Sequence, residues 1–327
     1  MRPFWFVVPG DIADPRLPSG GNTYDRRMAG YLPAREVAVA GSWPDPDPGA
    51  KRRLGEALAA VPDGSLALLD GLVACGVPDV LAPHAQRLRL VVLVHLPLAD
   101  DAPHRAADLD ARERETLKLA DRIVVTSPAA ARGLIARHGL DSVHVAPPGT
   151  DPAPEAAGTD GVSQLLCVAS VTPRKGQDIL VAALSQVDGL RAEFVGPIRD
   201  RAYATSLRTD LTGPLSGADL DAAYHRADLL VLPSHAETYG MVITEALARG
   251  IPVVASAVGG VPDALGGNGG MLVPPGNVSA LAEALRKWRD DEDLRHQLRT
   301  AAAGRTLEDW PAAAARLGGI LAGQAVR

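Results

Sequence analysis

The chain has 327 residues, of which 46% are hydrophobic and 22% charged, and carries a formal net charge of −6 at pH 7. That length suits two domains of about 150 residues each. The modest, dispersed charge leaves no basic stripe for nucleic acid, and no apolar stretch is long enough to span a bilayer.

Short apolar runs that read as buried strands fall at residues 4–8, 36–40, 66–70, 88–95, 122–126 and 142–146. Helical patterns separate them, clearest at 105–120 and 128–138. Strands without polar alternation, each followed by a helix, predict a parallel sheet covered on both faces. The proline- and glycine-rich stretch 147–161 then breaks the rhythm and reads as a linker. A second alternation follows, with strands at 164–171, 191–195, 228–232, 252–255 and 270–273. Helices are expected at 175–187, near 218–226, at 241–249 and from Asn277 onward. The expected division is an N-terminal domain over 1–150, a linker over 151–163, a C-terminal domain over 164–306 and a terminal helical stretch over 307–327. Two doubly wound halves predict a cleft between the carboxyl ends of their sheets, where such sheets bind ligands. The apolar run at residues 4–8 is too short for a secretion signal, and Cys75 and Cys167 sit far apart in apolar sequence. Both features lead us to expect a cytoplasmic protein.

The most informative window is Pro233-Ser-His-Ala-Glu237-Thr-Tyr-Gly-Met-Val-Ile-Thr-Glu245. Glu237 falls on the loop leaving a strand, and Glu245 lies one to two turns inside the next helix. The amides of Tyr239, Gly240 and Met241 fall at that helix's start, where donors lack intrahelical partners and an anion is favoured. Two carboxylates flanking unpaired amides suit a molecule with hydroxyls at both ends and negative charge between, as in a nucleotide sugar. Arg174-Lys175 follows the first strand of the second half, where adjacent cations can neutralise a diphosphate. Elsewhere such a pair would be an ordinary solvated one. Gly20-Gly21 follows the first strand of the chain and lets backbone approach a ligand, although a plain helix start explains it equally. It is neither a dinucleotide fingerprint nor a phosphate-binding P-loop. His95 ends the apolar run 90–94, a position that aims it at the expected cleft. The other histidines lack metal-ligand spacing, and there is no cysteine cluster, so no structural metal is expected.

The ordered set Pro-Arg-Lys175-Gly, Gly213-Pro-Leu, 227–234 (ADLLVLPS), Glu237-x7-Glu245, Gly250-x-Pro-Val-Val-Ala and Gly259-Gly260 resembles the retaining glycosyltransferases of family 4, the glycogen-synthase-like group. The resemblance covers nearly all of the second half. Gly20-Gly21, His95, Thr126-Ser127 and Pro148-Gly149-Thr-Asp151 extend it thinly into the first. It implies the GT-B fold, two Rossmann-like domains with the nucleotide-sugar donor held mainly by the second and the acceptor by the first. It also implies no obligatory metal, and in many members the last helix crosses back to the first domain.

Carried over by position, Glu245 is expected on the ribose and Lys175 on the diphosphate. Glu237, with Tyr239, Gly240, Met241 and Val242, is expected around the transferred sugar. Gly20 and Gly21 should approach the distal phosphate, and His95 the sugar's C6 side. Where the family carries Arg five positions before its Lys, this chain has Ser170, and Arg174 falls where the family often has Glu. Either Arg174 takes over that charge or the grip rests on Lys175.

The expected reaction is transfer of a sugar from a UDP- or GDP-linked donor to a small-molecule acceptor by a front-face, retaining route. Two rival readings are a retaining glycoside phosphorylase of the same fold and a non-catalytic nucleotide-sugar-binding module. No basic amphipathic helix points to a membrane surface.

Overall fold

The computed structural model describes residues 2–14, 16 and 18–324. The chain forms two compact units: the first takes the opening strand, Gly20–Gly149 and the chain from Trp310 onward, and the second takes Thr150–Asp309.

The first unit is built on six strands, β1 (Phe4–Pro9), β2 (Ala34–Val39), β3 (Leu66–Asp70), β4 (Arg89–Val94), β5 (Arg122–Val125) and β6 (His144–Val145). All pair in parallel, in the order β2-β1-β3-β4-β5-β6. Leu90, Val91, Val92 and Leu93 are wholly inaccessible to solvent, which is why β4 reads as an unbroken apolar run. The chain steps from β1 out to β2 and returns to β3 on the other side of β1. That reversal opens a crevice at the carboxyl ends of β1 and β3, the position at which open α/β sheets take ligands.

Local signals set the helix ends. The helix Pro128–His138 opens on Ser127, whose hydroxyl accepts from the Ala130 N–H at 3.0 Å, and stops at the left-handed Gly139. The helix Pro48–Ala59, absent from the sequence reading, opens the same way on Asp47, with proline at its start. Its mixed composition hides the apolar stripe of Ala50, Leu54 and Leu58. The last helix, Trp310–Ala322, packs on the helix Gly20–Tyr31 and buries Trp310, Ala313, Ala314, Leu317, Ile320 and Leu321.

The second unit has five parallel strands, β7 (Gln164–Val168), β8 (Arg191–Val195), β9 (Leu229–Leu232), β10 (Val253–Ser256) and β11 (Gly270–Val273). Their order is β11-β10-β9-β7-β8, which puts the reversal between β7 and β9. Apolar side chains fill both faces of this sheet, Leu230 and Ile243 on one and Leu180 and Trp288 on the other. Each fully buried side chain of this kind contributes about 1.5–3 kcal/mol.

Two details differ from the sequence reading. β7 ends at Val168, and one tight turn over Pro173–Lys175 precedes the helix Gln177–Leu184. Gly176 separates them at φ 65°, and a Cβ there would lie 2.3 Å from the Pro233 carbonyl oxygen. Glycine lets the loop leaving β7 lie against the loop leaving β9. The stretch 151–163 has no helix or strand, yet it is tied down. The buried Asp228 carboxylate accepts from the Thr159, Gly161 and Gln164 N–H groups and the Thr159 hydroxyl, and the Ala156 N–H donates to the Arg249 carbonyl at 2.9 Å. Proline and glycine exclude a helix here, but one carboxylate fixes the segment to the second unit. Among the described residues no helix is long and apolar enough to cross a membrane.

Candidate functional site

In the second unit, the loops leaving β7 and β9 carry the charged groups to the reversal point. Lys175 Nζ donates to Glu237 Oε1 at 2.5 Å, and the Ser234 hydroxyl donates to the same oxygen at 2.8 Å. Both charged side chains are largely buried, with 15% and 9% of their surfaces exposed. Burial alone would raise the Glu237 carboxyl, but Lys175, and behind it Arg174 and Ser234, outweigh burial and hold it below the usual glutamate range. Glu237 is therefore an ionised acceptor at neutral pH.

The backbone is fixed as firmly as the side chain. The Gly260 N–H donates to the Glu237 carbonyl at 3.2 Å, and a Cβ on Gly259, whose φ is 47°, would overlap that carbonyl. Gly259 thus seats the Glu237 carbonyl in a way no other residue type permits. Arg174 lies beside the pair, its guanidinium donating to the Ala236 carbonyl at 3.3 Å and its own carbonyl accepting from the His235 N–H. At Ser170 the structure offers a backbone carbonyl, which accepts from the Gln177 side chain at 3.0 Å.

Glu245 sits apart from that pair. It lies in the short helix Met241–Leu247, and its Oε2 accepts from the Tyr224 hydroxyl at 2.7 Å. Arg249 stacks over the Tyr224 ring at 4.5 Å and donates to the Glu245 carbonyl. Burial raises the Glu245 carboxyl above its ordinary value, against the pull of Tyr224 and Arg249. Tyr239 and the left-handed Gly240 form the turn into this helix, and Met241 and Val242 begin it, all half-buried.

In the first unit, Gly20 and Gly21 open the helix that follows β1, and His95 follows β4. The fold brings them together, for a Cβ on Gly21 would sit 3.1 Å from the His95 ring. One turn on, Asp25 Oδ1 meets His95 Nε2 at 2.7 Å, and the Tyr24 ring meets the imidazole edge-on at 5.2 Å. Asp70, at the end of β3, completes the group. Burial pushes Asp25 up to about 7 and Asp70 well above the usual aspartate range, and it pushes His95 down.

Residues 155–305 match the family model described as glycosyl transferases group 1. The chain is 32% identical over 265 residues to the D-inositol 3-phosphate glycosyltransferase of Actinosynnema mirum, an overlap of 70% of this chain and 62% of that one. It is 32% identical over 159 residues to a sulfoquinovosyl transferase of Arabidopsis thaliana, covering 46% of this chain and 31% of the relative. The chain spans less than two thirds of the length of either relative. Among solved structures, sucrose-phosphate synthase from Thermosynechococcus elongatus superposes with a TM-score of 0.78 at 21% identity, over 99% of both chains. Anabaena HepE in complex with UDP-glucose does so with a TM-score of 0.76 at 18% identity, over 98% of this chain and 99% of that one. The fold is GT-B, and the match to the glycosyl transferases group 1 model is confined to residues 155–305.

Within that GT-B chain, four residues near the candidate positions carry no individual role in the sequence reading: Ser234, Tyr224, Asp25 and Asp70. Asp25 had a readable signal, since it lies four residues after Gly21 and so on the same helix face. Asp70 is the one polar residue closing an apolar strand at the reversal. Tyr224 had none, because its partner Glu245 is 21 positions away. Among the described residues, two groups could offer three ligand atoms to a cation, Asp25–Asp70–His95 and Asp110–Glu113–His138. The second is a structural brace in which Glu113 accepts from the Leu98 N–H and pairs with His138 at 2.7 Å.

Proposed function

We propose that this chain is a retaining glycosyltransferase that moves a sugar from a nucleoside diphosphate sugar to a small-molecule acceptor, with no obligatory metal. The observation that carries the reading is the Lys175–Glu237 pair at the β7/β9 reversal, inside the group 1 domain. A lysine ammonium has three N–H donors. Lys175 can keep Glu237 and still donate to a diphosphate oxygen, so the donor arrives at a cation already held in place. Charge-assisted hydrogen bonds of that kind are worth about 1.5–3 kcal/mol each.

The carboxylates divide the rest of the donor. Glu237, ionised and seated by Lys175, Ser234 and Gly260, accepts from sugar hydroxyls. Glu245 has one oxygen taken by Tyr224 and offers the other to the ribose. Neither is an acid–base partner in the reaction. As the bond to the leaving diphosphate breaks, Lys175, with Arg174 beside it, stabilises the growing negative charge. The leaving oxygen takes the acceptor's proton on the same face, which retains the anomeric configuration. His95, in the first unit, is assigned to the sugar's C6 side.

Uridine diphosphate is the first nucleotide to try, because the Anabaena structure holds UDP-glucose. A polyol phosphate is the first acceptor to try, because that is what the name of the Actinosynnema relative specifies. The test is a thermal-shift panel of nucleoside diphosphates and their sugars, followed by NMR of the product's anomeric centre. A ligand at 100 times its Kd stabilises by about 2.7 kcal/mol. A chain that none of these compounds stabilises, and that cleaves no nucleotide sugar, would end the reading.

A further inference from the structure

The reversal point of the first unit holds a group whose protons have to be accounted for. Asp25, Asp70 and His95 each place one ligand atom within 4.8 Å of the others, and they come from three elements: the helix after β1, the end of β3 and the end of β4. The Asp25 side chain is wholly buried, whereas 16% of His95 remains exposed. Asp25 Oδ1 is taken by His95 Nε2, and Asp25 Oδ2 is buried with no N–H or hydroxyl donor in reach. Asp70 brings a carboxyl oxygen within 4.8 Å of an Asp25 oxygen. Asp70 Oδ1 already accepts from the Leu72 N–H at 2.6 Å.

Two ionised carboxylates cannot occupy such a contact. Each would be an acceptor facing an acceptor in a site closed to water. A single proton on the other oxygen of Asp70 satisfies Asp25 and removes the repulsion. The negative charge left on Asp25 then faces His95 and favours a hydrogen on Nε2. The further charged or titratable groups acting here agree in sign. Glu36 on β2 disfavours ionisation of Asp25, and burial, with Glu113 and Asp70 behind it, pushes the Cys75 thiol well up. Gly21 supplies the space for the ring and Tyr24 closes its side.

We propose that Asp25 and Asp70 share one buried proton and together hold His95 as its Nε2–H tautomer in a fixed ring orientation, which makes both aspartates positioning residues for the histidine assigned to the sugar. The inference rests on the glycosyltransferase reading for the sugar's part in it and stands on geometry alone for the proton and the tautomer. It also separates two substitutions that look alike. Asp70→Asn supplies an amide N–H where the proton was, and Asp70→Ala supplies nothing.

The test is ¹⁵N NMR of the imidazole nitrogens, assigned by loss of the signal in His95→Gln, together with donor cleavage kinetics. Wild type and Asp70→Asn are expected to show the Nε2–H tautomer at pH 7. Asp25→Ala and Asp70→Ala are expected to show mixed tautomers and a kcat lower by about tenfold to a hundredfold, with donor KM unchanged. An unchanged tautomer and kcat in Asp25→Ala would overturn the proposal, as would Asp70→Asn behaving like Asp70→Ala. Should the variants not fold, ¹³C spectra of the wild-type aspartate carboxyls at pH 6 decide: one protonated carboxyl upholds the shared proton, and none refutes it. A divalent ion that survives dialysis and removes that protonated carboxyl refutes it too. The NMR results hold whether or not any sugar is transferred, so failure of the activity reading remains distinguishable.

Discussion

The two units of this chain place carboxyl groups at the same topological spot and treat them in opposite ways. At the β7/β9 reversal, Glu237 lies under a lysine and stays ionised despite its burial. At the β1/β3 reversal, Asp25 and Asp70 have a neutral imidazole and each other, and both are pushed up. Burial is the largest influence in each case, and it acts in the same direction. What differs is whether a cation stands within hydrogen-bond reach. One fold pattern, used twice, therefore yields a charged acceptor pocket in one unit and a proton-holding pocket in the other.

The largest expected effect comes from making the two alike. Lys175→Ala leaves Glu237 buried without its cation, which typically costs about 3–5 kcal/mol. Loss of the diphosphate partner is expected to lower donor cleavage by roughly 10²–10³. Chemical denaturation and donor hydrolysis measure the two separately, and near-wild-type values in both would break the comparison.

The second effect is a pair of opposite pH slopes. Burial raises Asp25, to about 7, and Asp70 in the folded chain, so the pair keeps its one shared proton well above the pH near 4 at which an unfolded aspartate gives it up. Between those values the folded state binds more protons, so stability falls as pH rises, by at most about 1.4 kcal/mol per pH unit for one proton. Glu237 has the reverse shift; its contribution is present above the ordinary glutamate range and is lost as pH falls through its lowered value. Denaturation midpoints between pH 4 and 7 should therefore become less steep in Asp25→Asn, and an unaltered slope would count against the assignment. The smallest effect is at Glu245. Tyr224→Phe removes one hydrogen bond, worth about 1 kcal/mol, and should raise donor KM about fivefold with kcat unchanged. Steady-state kinetics at saturating acceptor checks it.

Much of the framework was legible because it depends on local pattern. Unbroken apolar runs such as 90–94 could only be strands buried on both faces, and the residues that follow them had to lie at the sheet's carboxyl edge. Lys175 and Glu237 were readable for that reason, as charged residues just past apolar strands. Glu245 was readable as a carboxylate inside the next helix. The contacts that tune these groups were not legible. Whether Tyr224 reaches Glu245, or Asp25 reaches His95, depends on how two helices lie on one sheet, and sequence spacing across 21 or 70 positions carries no such information. The stretch 151–163 marks the same limit. Its composition announces irregular backbone, and only the fold reveals that Asp228 gathers three of its donors and the N–H of Gln164 just beyond it.

The last helix has a consequence for how the protein is made. Trp310 lies edge-on to Tyr24 at 6.2 Å, and Arg27 stacks over its indole. Tyr24 is the ring that walls in His95. A ribosome delivers residues 20–149 first, and domains generally begin folding as they emerge. The first unit must then wait, with the apolar seat for Trp310, Leu317 and Leu321 uncovered, until the whole second unit has been synthesised. The domain begun first is the one finished last, and the wall behind its histidine closes only when the final helix arrives.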